Sequence, residues 1–277
     1  MLGKFAGNHD KFVSSSETTR ETLKNIDLKF NFDFISWFRG FIEGNSSFII
    51  KKNGYLEFKI TQSSTDAQVL FYIKKNLGFG SSIQDKRNKT HHFRVRDKKG
   101  ILQLILILNG NLITVNKNYK FKNWVEAYNK VYQQDIQVIF PKKQSPTFNN
   151  AWLCGFSDAV GCFMLSFDKK KVKLENQVHV SFILSQKNEF EFMYKLADLL
   201  KGKISYFSNY QGFKIIVNLS NLSNVISYFN KYSLKTKKYI LYLNWLKVYN
   251  IVSNKKHLTT QGLNRVKILI YKINKKI

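Results

Sequence analysis

The feature that most constrains this chain is a twelve-residue segment that occurs twice. The first copy, WFRGFIEGNSSF, runs from Trp37 to Phe48, and the second, WLCGFSDAVGCF, runs from Trp152 to Phe163. The copies share a tryptophan, a glycine, a phenylalanine, an acid, a small residue and a closing phenylalanine. Because a whole segment recurs at a long interval, we predict two similar halves rather than one irregular domain.

The similarity continues beyond this segment. The stretch FKITQ at Phe58–Gln62 corresponds to FILSQ at Phe182–Gln186, and further helical and alternating stretches follow in both halves. Each half therefore reads as helix, strand, strand, helix, strand, strand, helix. This order predicts an α+β fold made of two pseudo-symmetric αββαββα repeats. The pair Asn53-Gly54 predicts a two-residue hairpin turn between the first two strands.

Composition shifts divide the chain further. Both prolines fall within segment 140–148, which predicts a linker between the halves. Beyond the second set of elements, two more stretches are predicted to form additional helices. The predicted divisions are a leader over 1–32, a first repeat over 33–139, a linker over 140–148, and a second repeat with C-terminal helices over 149–277.

Small residues recur at helical spacing within the repeated segment. Gly40 and Gly44 lie four residues apart, and so do Gly155 and Ala159. Small side chains at this spacing allow two helix backbones to approach closely. We therefore predict that the two helices pack on each other at a pseudo-twofold interface. The alternative is a pair of ordinary amphipathic core helices.

The charge balance indicates the class of partner. Lysine and arginine total 45 against 18 acidic residues, which gives a formal net charge of +27. A compact particle with this charge repels itself unless a polyanion neutralises it, so we predict a nucleic-acid partner. An anionic membrane surface is the alternative, although no run of 18 apolar residues predicts a transmembrane helix. The internal repeat predicts a monomer with its own pseudo-symmetry.

Alternation along the predicted strands indicates where that partner binds. Apolar residues fall on one face, and we predict that the other face carries polar and basic side chains, Gln62 among them, that form a nucleic-acid groove. The predicted nucleic-acid-binding residues are Lys51, Lys59, Arg94, Arg96, Lys169, Lys171, Lys173 and Lys214. For any single strand, an ordinary solvated face is the alternative. The cysteines, Cys154 and Cys162, lack metal-ligand spacing and are predicted to be buried free thiols.

The paired segments resemble the two motifs of the single-chain LAGLIDADG homing endonucleases, and the resemblance covers about 33–277. It implies that two β-sheets form a saddle over a nucleic-acid duplex. It also implies that the two motif helices form the central interface. Each helix would end in an acid that helps to hold divalent metal ions for phosphodiester cleavage. No cofactor would be needed for binding alone, and Mg²⁺ would be needed only for cleavage.

The chain departs from that motif at the positions of the catalytic acids. Aligned on the motif, these positions hold Asn45 and Val160, whereas Glu43 and Asp158 match an acidic position that is largely structural in the family. Since Mg²⁺ prefers anionic oxygen ligands, an amide and an isopropyl group predict no intact catalytic acid and no metal site. The resemblance also implies that Gln62 and Gln186 match polar positions near the family's active site. It implies that Lys237 is the auxiliary basic residue, whose first-repeat counterpart is Val115.

These observations leave three hypotheses. The first is a non-cleaving protein that binds structured RNA, as a group I intron maturase or within a ribonucleoprotein such as the ribosome. The second is an active DNA homing endonuclease, and the third is a decaying reading frame. The abundance of Lys, Asn, Ile, Phe and Tyr indicates AT-rich codons. Together with the family resemblance, this predicts an organelle-encoded protein of the mitochondrial matrix.

Overall fold

The computed structural model describes residues 30–140, 145–168 and 178–274. In the first repeat the elements are α1 Phe32–Gly44, β1 Ser47–Ile50, β2 Leu56–Ser63, α2 Gln68–Leu77, β3 Ser81–Asp85, β4 Thr90–Val95, α3 Lys98–Leu108 and α4 Val115–Tyr132. In the second they are α5 Trp152–Val160, β5 Gly161–Phe167, β6 Val178–Lys187, α6 Phe190–Leu200, β7 Lys203–Phe207, β8 Gly212–Asn218, α7 Leu222–Lys231, α8 Lys238–Ser253 and α9 Thr260–Asn274.

Each repeat forms one four-stranded antiparallel sheet with the same topology. The strand orders are β1-β2-β4-β3 and β5-β6-β8-β7, and every pairing is antiparallel. The predicted α+β class with two pseudo-symmetric repeats is thus confirmed. Each repeat closes with two helices rather than one, because α8 takes the place in the second repeat that α4 takes in the first. Only α9 has no counterpart in the described part of the first repeat.

Helices α1 and α5 pack directly against each other, as the small residues predict. A Cβ atom added to Gly155 would overlap the carbonyl oxygen of Trp37, and one added to Gly40 would overlap that of Trp152. Both contacts involve backbone rather than a movable side chain. The two glycines therefore set the separation of the helix backbones, and this separation places the two helix ends side by side.

The remaining helices cover one face of each sheet with aromatic side chains. In the first repeat Phe48 and Phe58 of the sheet contact Phe121 and Trp124 of α4. In the second repeat Phe163 and Phe182 contact Phe229 of α7. All these side chains are buried or nearly so. The strand residues that alternate with these side chains form the opposite face of each sheet, named the outer face below.

Two sequence-based predictions about local structure are wrong. The first hairpin closes through a bond from the Gly54 N–H to the Lys51 carbonyl, and Gly54 has a φ of 78°. The loop is therefore longer than a two-residue turn, because the glycine supplies the left-handed residue of a three-residue loop. Cys154 is buried as predicted, but Cys162 is exposed because it lies on the outer face of β5.

Candidate nucleic-acid interface

The two helix ends, named the helix tips below, hold no carboxylate at the motif positions that carry the family's acids. Asn45 follows the last residue of α1, and its amide nitrogen donates to the Thr61 carbonyl over 3.1 Å. Val160 is the last residue of α5, and its Cγ1 lies 3.0 Å from the point where a Cβ on Gly44 would sit. The tips therefore present an amide and an isopropyl group close together.

Glu43, the first of the remaining motif acids, is buried beneath the α1 tip. It is 1% exposed. Its carboxylate accepts hydrogen bonds from the backbone N–H groups of Ile113 (2.8 Å) and Thr114 (2.6 Å) and from the indole of Trp152 (3.1 Å). Burial raises the pKa of Glu43, and the hydrogen bonds from Thr114, Ile113 and Trp152 oppose that shift.

Asp158 occupies the equivalent position beneath the α5 tip. It accepts bonds from the Trp37 indole (2.8 Å), the Lys235 N–H (2.8 Å), and the Thr236 N–H (3.1 Å) and hydroxyl (2.6 Å). Burial raises its pKa, and these bonds oppose the shift. Each acid thus binds the tryptophan of the other repeat and the chain just before α4 or α8. Because both carboxylates are buried and already accept three or four hydrogen bonds, and because Asn45 and Val160 offer no carboxylate, the residues at the tips do not fit a divalent metal ion.

Two further acids, neither of which was predicted from the sequence, hold the repeats together. Glu189 accepts bonds from the backbone N–H groups of Val115 (3.0 Å) and Asn116 (2.8 Å) at the start of α4. Asp66 accepts from the backbone N–H of Lys237 (2.8 Å) just before α8. Each acid therefore caps a helix of the other repeat. These matching bonds also pair Val115 with Lys237, which agrees with their alignment in the sequence.

The three residues predicted to lie near the tips, Gln62, Gln186 and Lys237, occupy different environments. Gln186 lines a cleft that also contains Glu43 and Glu189. The Lys237 ammonium lies 3.5 Å from the Thr65 hydroxyl. Gln62 pairs with His91, and strand alternation places its side chain on the face of Phe58 and Ile60. The prediction that Gln62 lies on the same face as Lys59 is wrong, because residues three apart on a strand point to opposite faces.

Two lysines that were not predicted from the sequence lie at the tips instead. The Lys117 ammonium donates to the Ser46 carbonyl over 2.9 Å, and the Lys238 ammonium donates to the Ser157 carbonyl over 3.1 Å. Burial lowers the pKa of both groups, that of Lys117 to about 8. A cation at the end of a helix interacts favourably with the helix dipole. Each tip therefore has an ammonium group beside it.

The outer face of the first sheet carries three of the predicted nucleic-acid-binding residues. Lys59 and Arg94 pair across β2 and β4, and Arg96 continues the same face just beyond β4. Glu57 also lies on this face and forms ion pairs with Arg94 (3.3 Å) and Arg96 (3.2 Å). The two arginines are thereby held in place and partly neutralised, so Lys59 is the basic residue of this group without an acidic partner among the described contacts.

The outer face of the second sheet is more apolar. Cys162, Met164, Ile183 and Ile216 lie on it by register. Lys214 shares this face and lies over the Phe207 ring at 5.6 Å. Lys51 lies in the first hairpin, over the Tyr55 ring at 5.5 Å. The remaining predicted contacts lie outside the described residues: Lys169, Lys171 and Lys173.

Over 30–140, 145–168 and 178–274, no three His, Cys, Asp or Glu side chains come together in a way that could hold a metal ion. Among the helices of these ranges, none combines the length and the apolar character needed to cross a bilayer.

Comparison with known proteins decides the family. The sequence model of the LAGLIDADG endonuclease family matches residues 38–128 and 153–249, which are the two repeats. The chain belongs to the LAGLIDADG endonuclease family. Over 98% of its length it is 46% identical to "Probable intron-encoded endonuclease 4" of Neurospora crassa, and it spans 48% of that protein. The chain therefore covers about half of the length of this relative.

Other members of the family carry different functional names. The chain is 27% identical to "Intron-encoded RNA maturase bI4" of Saccharomyces cerevisiae over 75% of this chain and 30% of that protein. In structure, it resembles the LAGLIDADG meganuclease I-AabMI, solved bound to uncleaved DNA, with a TM-score of 0.73 and 20% identity. That match covers 86% of this chain and 98% of the meganuclease. The predicted family and fold are thus confirmed.

Proposed function

We propose that this LAGLIDADG protein binds nucleic acid without cleaving it, and that its natural ligand is a structured RNA. The observation that carries the proposal is the chemistry of the helix tips. Asn45 and Val160 offer no carboxylate, and Glu43 and Asp158 are held by backbone and indole N–H groups. Cleavage that uses divalent ions requires carboxylates to hold those ions, whereas binding to phosphates does not.

RNA is favoured over DNA for two reasons. A relative named as an RNA maturase matches 75% of this chain, and loss of the metal ligands removes the function of a DNA endonuclease without removing a basic surface. The proposed role is that of a group I intron maturase, or of a stable component of a ribonucleoprotein such as the ribosome. The proposed compartment is the mitochondrial matrix, since the relatives are named as intron-encoded and the composition indicates AT-rich codons.

The alternative function is that of an active DNA homing endonuclease. It is supported by the relative named as a probable endonuclease and by the structural similarity to a meganuclease solved with DNA. Under this alternative, Mg²⁺ would be required, and its ligands would have to be recruited from acids that now cap helices of the other repeat.

Binding and cleavage assays on the whole chain separate the two functions. We expect submicromolar binding to the transcript of the encoding intron in EDTA, measured by fluorescence anisotropy. We also expect no cutting of a plasmid that carries the intron insertion site, in either Mg²⁺ or Mn²⁺. Metal-dependent cutting of that plasmid would overturn the proposal. Binding that does not weaken as the salt concentration rises would also contradict it, because phosphate contacts release counterions.

The outer faces can be tested with single substitutions. We expect Lys59→Ala and Lys214→Ala each to weaken RNA binding, and each to reduce the slope of log K against log salt by about 0.7–0.9, the value for one phosphate contact. The matched control is Lys195→Ala, because Lys195 lies on helix α6, not on a strand, and already pairs with Glu191 over 2.6 Å. An unchanged slope in both outer-face variants would exclude these strands from the interface.

A further inference from the structure

A cleft of about 380 Å³ lies on one flank of the helix tips. It is formed by the end of α1, the start of α4 and the turn from β6 to α6. Seven polar side chains that can donate hydrogen bonds line it: Lys117, Lys120, Lys187, Thr114, Asn116, Gln186 and Asn188. Two carboxylates, those of Glu43 and Glu189, lie in the same cleft.

The carboxylates and the start of α4 satisfy each other within this cleft. Glu43 accepts from the backbone N–H groups of Ile113 and Thr114, and Glu189 accepts from the next two N–H groups along the chain. The α4 N-terminus is therefore not open to an anion. The cleft retains three ammonium groups against two carboxylates, so its remaining positive charge comes from Lys117, Lys120 and Lys187.

Lys117 is the cation nearest to the α1 tip. Its ammonium contacts the Ser46 carbonyl (2.9 Å) and lies 3.3 Å from the Ser46 hydroxyl. An ammonium has three donors, so one remains for a ligand beside these two described contacts. Burial lowers the pKa of Lys117 to about 8, and the nearby Lys120 adds to that effect. A bound anion would compensate for the water that this ammonium has lost.

Two residues at this cleft connect it to the two sheets. Lys187 ends β6, and alternation places it on the same outer face as Ile183 and Lys214. Ser46, which Lys117 contacts, directly precedes β1 of the other sheet. A nucleic-acid backbone that follows the outer faces would therefore pass the mouth of this cleft.

The lysines are placed differently on the opposite flank, where Lys237 and Lys238 stand at the start of α8. The matched bonds that pair Val115 with Lys237 set an offset that places Tyr239 opposite Lys117 and Tyr242 opposite Lys120. Tyr242 is buried, and its hydroxyl bonds to Asn230 over 2.8 Å. The pseudo-symmetry of the fold is thus broken in the positions of the cations: tyrosines match Lys117 and Lys120, whereas Lys238 matches Asn116.

We propose that this cleft binds a backbone phosphate of the nucleic acid directly through Lys117, Lys120 and Lys187, without a metal ion. The inference rests on the proposed function, because it requires a bound nucleic acid. It adds a specific site on one flank, which would fix the direction in which a pseudo-symmetric protein lies on an asymmetric strand.

Substitution of Lys117 tests the site in the whole chain. The probes are bulk transfer RNA and a random-sequence DNA duplex, both in EDTA, over a salt series. For Lys117→Met we expect affinity to fall about tenfold, as for one lost charged hydrogen bond, and the salt slope to fall by about 0.7–0.9. The matched control is Lys122→Met on the same helix, because Lys122 pairs with Glu126 (3.7 Å) and lies outside the cleft.

A second measurement separates binding from folding. In the folded chain the pKa of Lys117 is depressed below its unfolded value, so the folded state is penalised below about pH 8. Lys117→Met should therefore raise Tm at neutral pH by roughly 2–4 °C while it weakens binding. In the unsubstituted protein, affinity should also fall from about pH 7 to about pH 9 as Lys117 loses its proton, and this dependence should be smaller in the variant.

The outcomes distinguish this inference from the proposed function. If the unsubstituted chain binds neither polymer, the proposed function fails. If it binds and Lys117→Met retains the same affinity and slope, only the cleft inference fails. If Lys117→Met does not fold, the exposed residues Lys120 and Lys187 provide the test. Lys120→Met combined with Lys187→Met should then reduce the slope of log K against log salt. Inorganic phosphate provides a further probe, because it should displace nucleic acid from the unsubstituted chain at lower concentrations than from the Lys117→Met variant. Equal phosphate concentrations for the two chains would contradict a specific site.

Discussion

Gly155→Ala is expected to destabilise the protein by at least ~3 kcal/mol and to leave little folded chain at 37 °C. The added methyl group would overlap the Trp37 carbonyl of the facing helix. This carbonyl belongs to the backbone, so the overlap cannot be relieved by the rotation of a side chain. Since a domain is stabilised by only about 5–15 kcal/mol in total, this loss is a large part of the whole. Urea unfolding followed by circular dichroism measures it.

The expected loss is large because the helix separation controls other interactions. If α1 and α5 move apart, the indole of Trp37 leaves Asp158 (2.8 Å) and the indole of Trp152 leaves Glu43 (3.1 Å). Each carboxylate would then remain buried with fewer donors, which costs further free energy. Gly40→Ala should behave in the same way, since the overlap is reciprocal.

Gly78→Ala is the matched control for this prediction. Gly78 has a φ of 75°, and nothing lies within 4 Å of the position that its Cβ would take. Its substitution should therefore cost only the ~1 kcal/mol of a left-handed non-glycine residue. If Gly155→Ala is no more destabilising than this control, the close contact of the helices does not set their packing.

The contact of these helices could be predicted from the sequence because its cause is local and repeated. A glycine four residues from another small residue, present in both copies, is sufficient to identify a close helix crossing. The same holds for Asn45 and Val160, which alignment of one motif locates. The tryptophans were visible as well, but their bonds to the acid of the opposite repeat depend on how the two copies face each other.

The interactions that could not be predicted join residues far apart in the chain. Asp66 caps the chain before α8 through Lys237, 171 residues away. One signal was available, because an acid follows Gln62 after four residues and follows Gln186 after three. Glu57 neutralises Arg94 and Arg96 only because β2 pairs with β4. Local patterns did not specify that register, so the basic character of this face was overestimated.

Asn45→Asp combined with Val160→Asp is expected to create a divalent-metal site at the helix tips. The two residues lie at the ends of adjacent helices, so their carboxylates would lie close to each other. In EDTA their repulsion, and the burial of a charge in place of an isopropyl group, should lower Tm. Ca²⁺ should restore the Tm, because a free ion concentration of about 100 times Kd stabilises the folded state by ~2.7 kcal/mol.

Thermal unfolding in EDTA and in Ca²⁺ measures this effect on four chains: unsubstituted, each single variant and the double variant. The matched control is Asn45→Ala with Val160→Thr, which alters the same positions without adding charge. We expect a Ca²⁺-dependent rise in Tm only where carboxylates are present, and the largest rise in the double variant. An equal rise in the unsubstituted chain would mean that it already binds the ion.

The double variant also shows which other features of a nuclease remain. If metal ligands are the sole missing part, it should nick or cut a plasmid that carries the intron insertion site in Mg²⁺, and the unsubstituted chain should not. The ammonium of Lys238, which donates to the Ser157 carbonyl at the α5 tip, opposes this gain. A nearby cation pairs with the new carboxylates and competes with the metal ion. Metal binding without cleavage would therefore indicate that the nearby ammonium group prevents the reaction. In that case, Lys238→Met added to the double variant should increase the affinity for Ca²⁺.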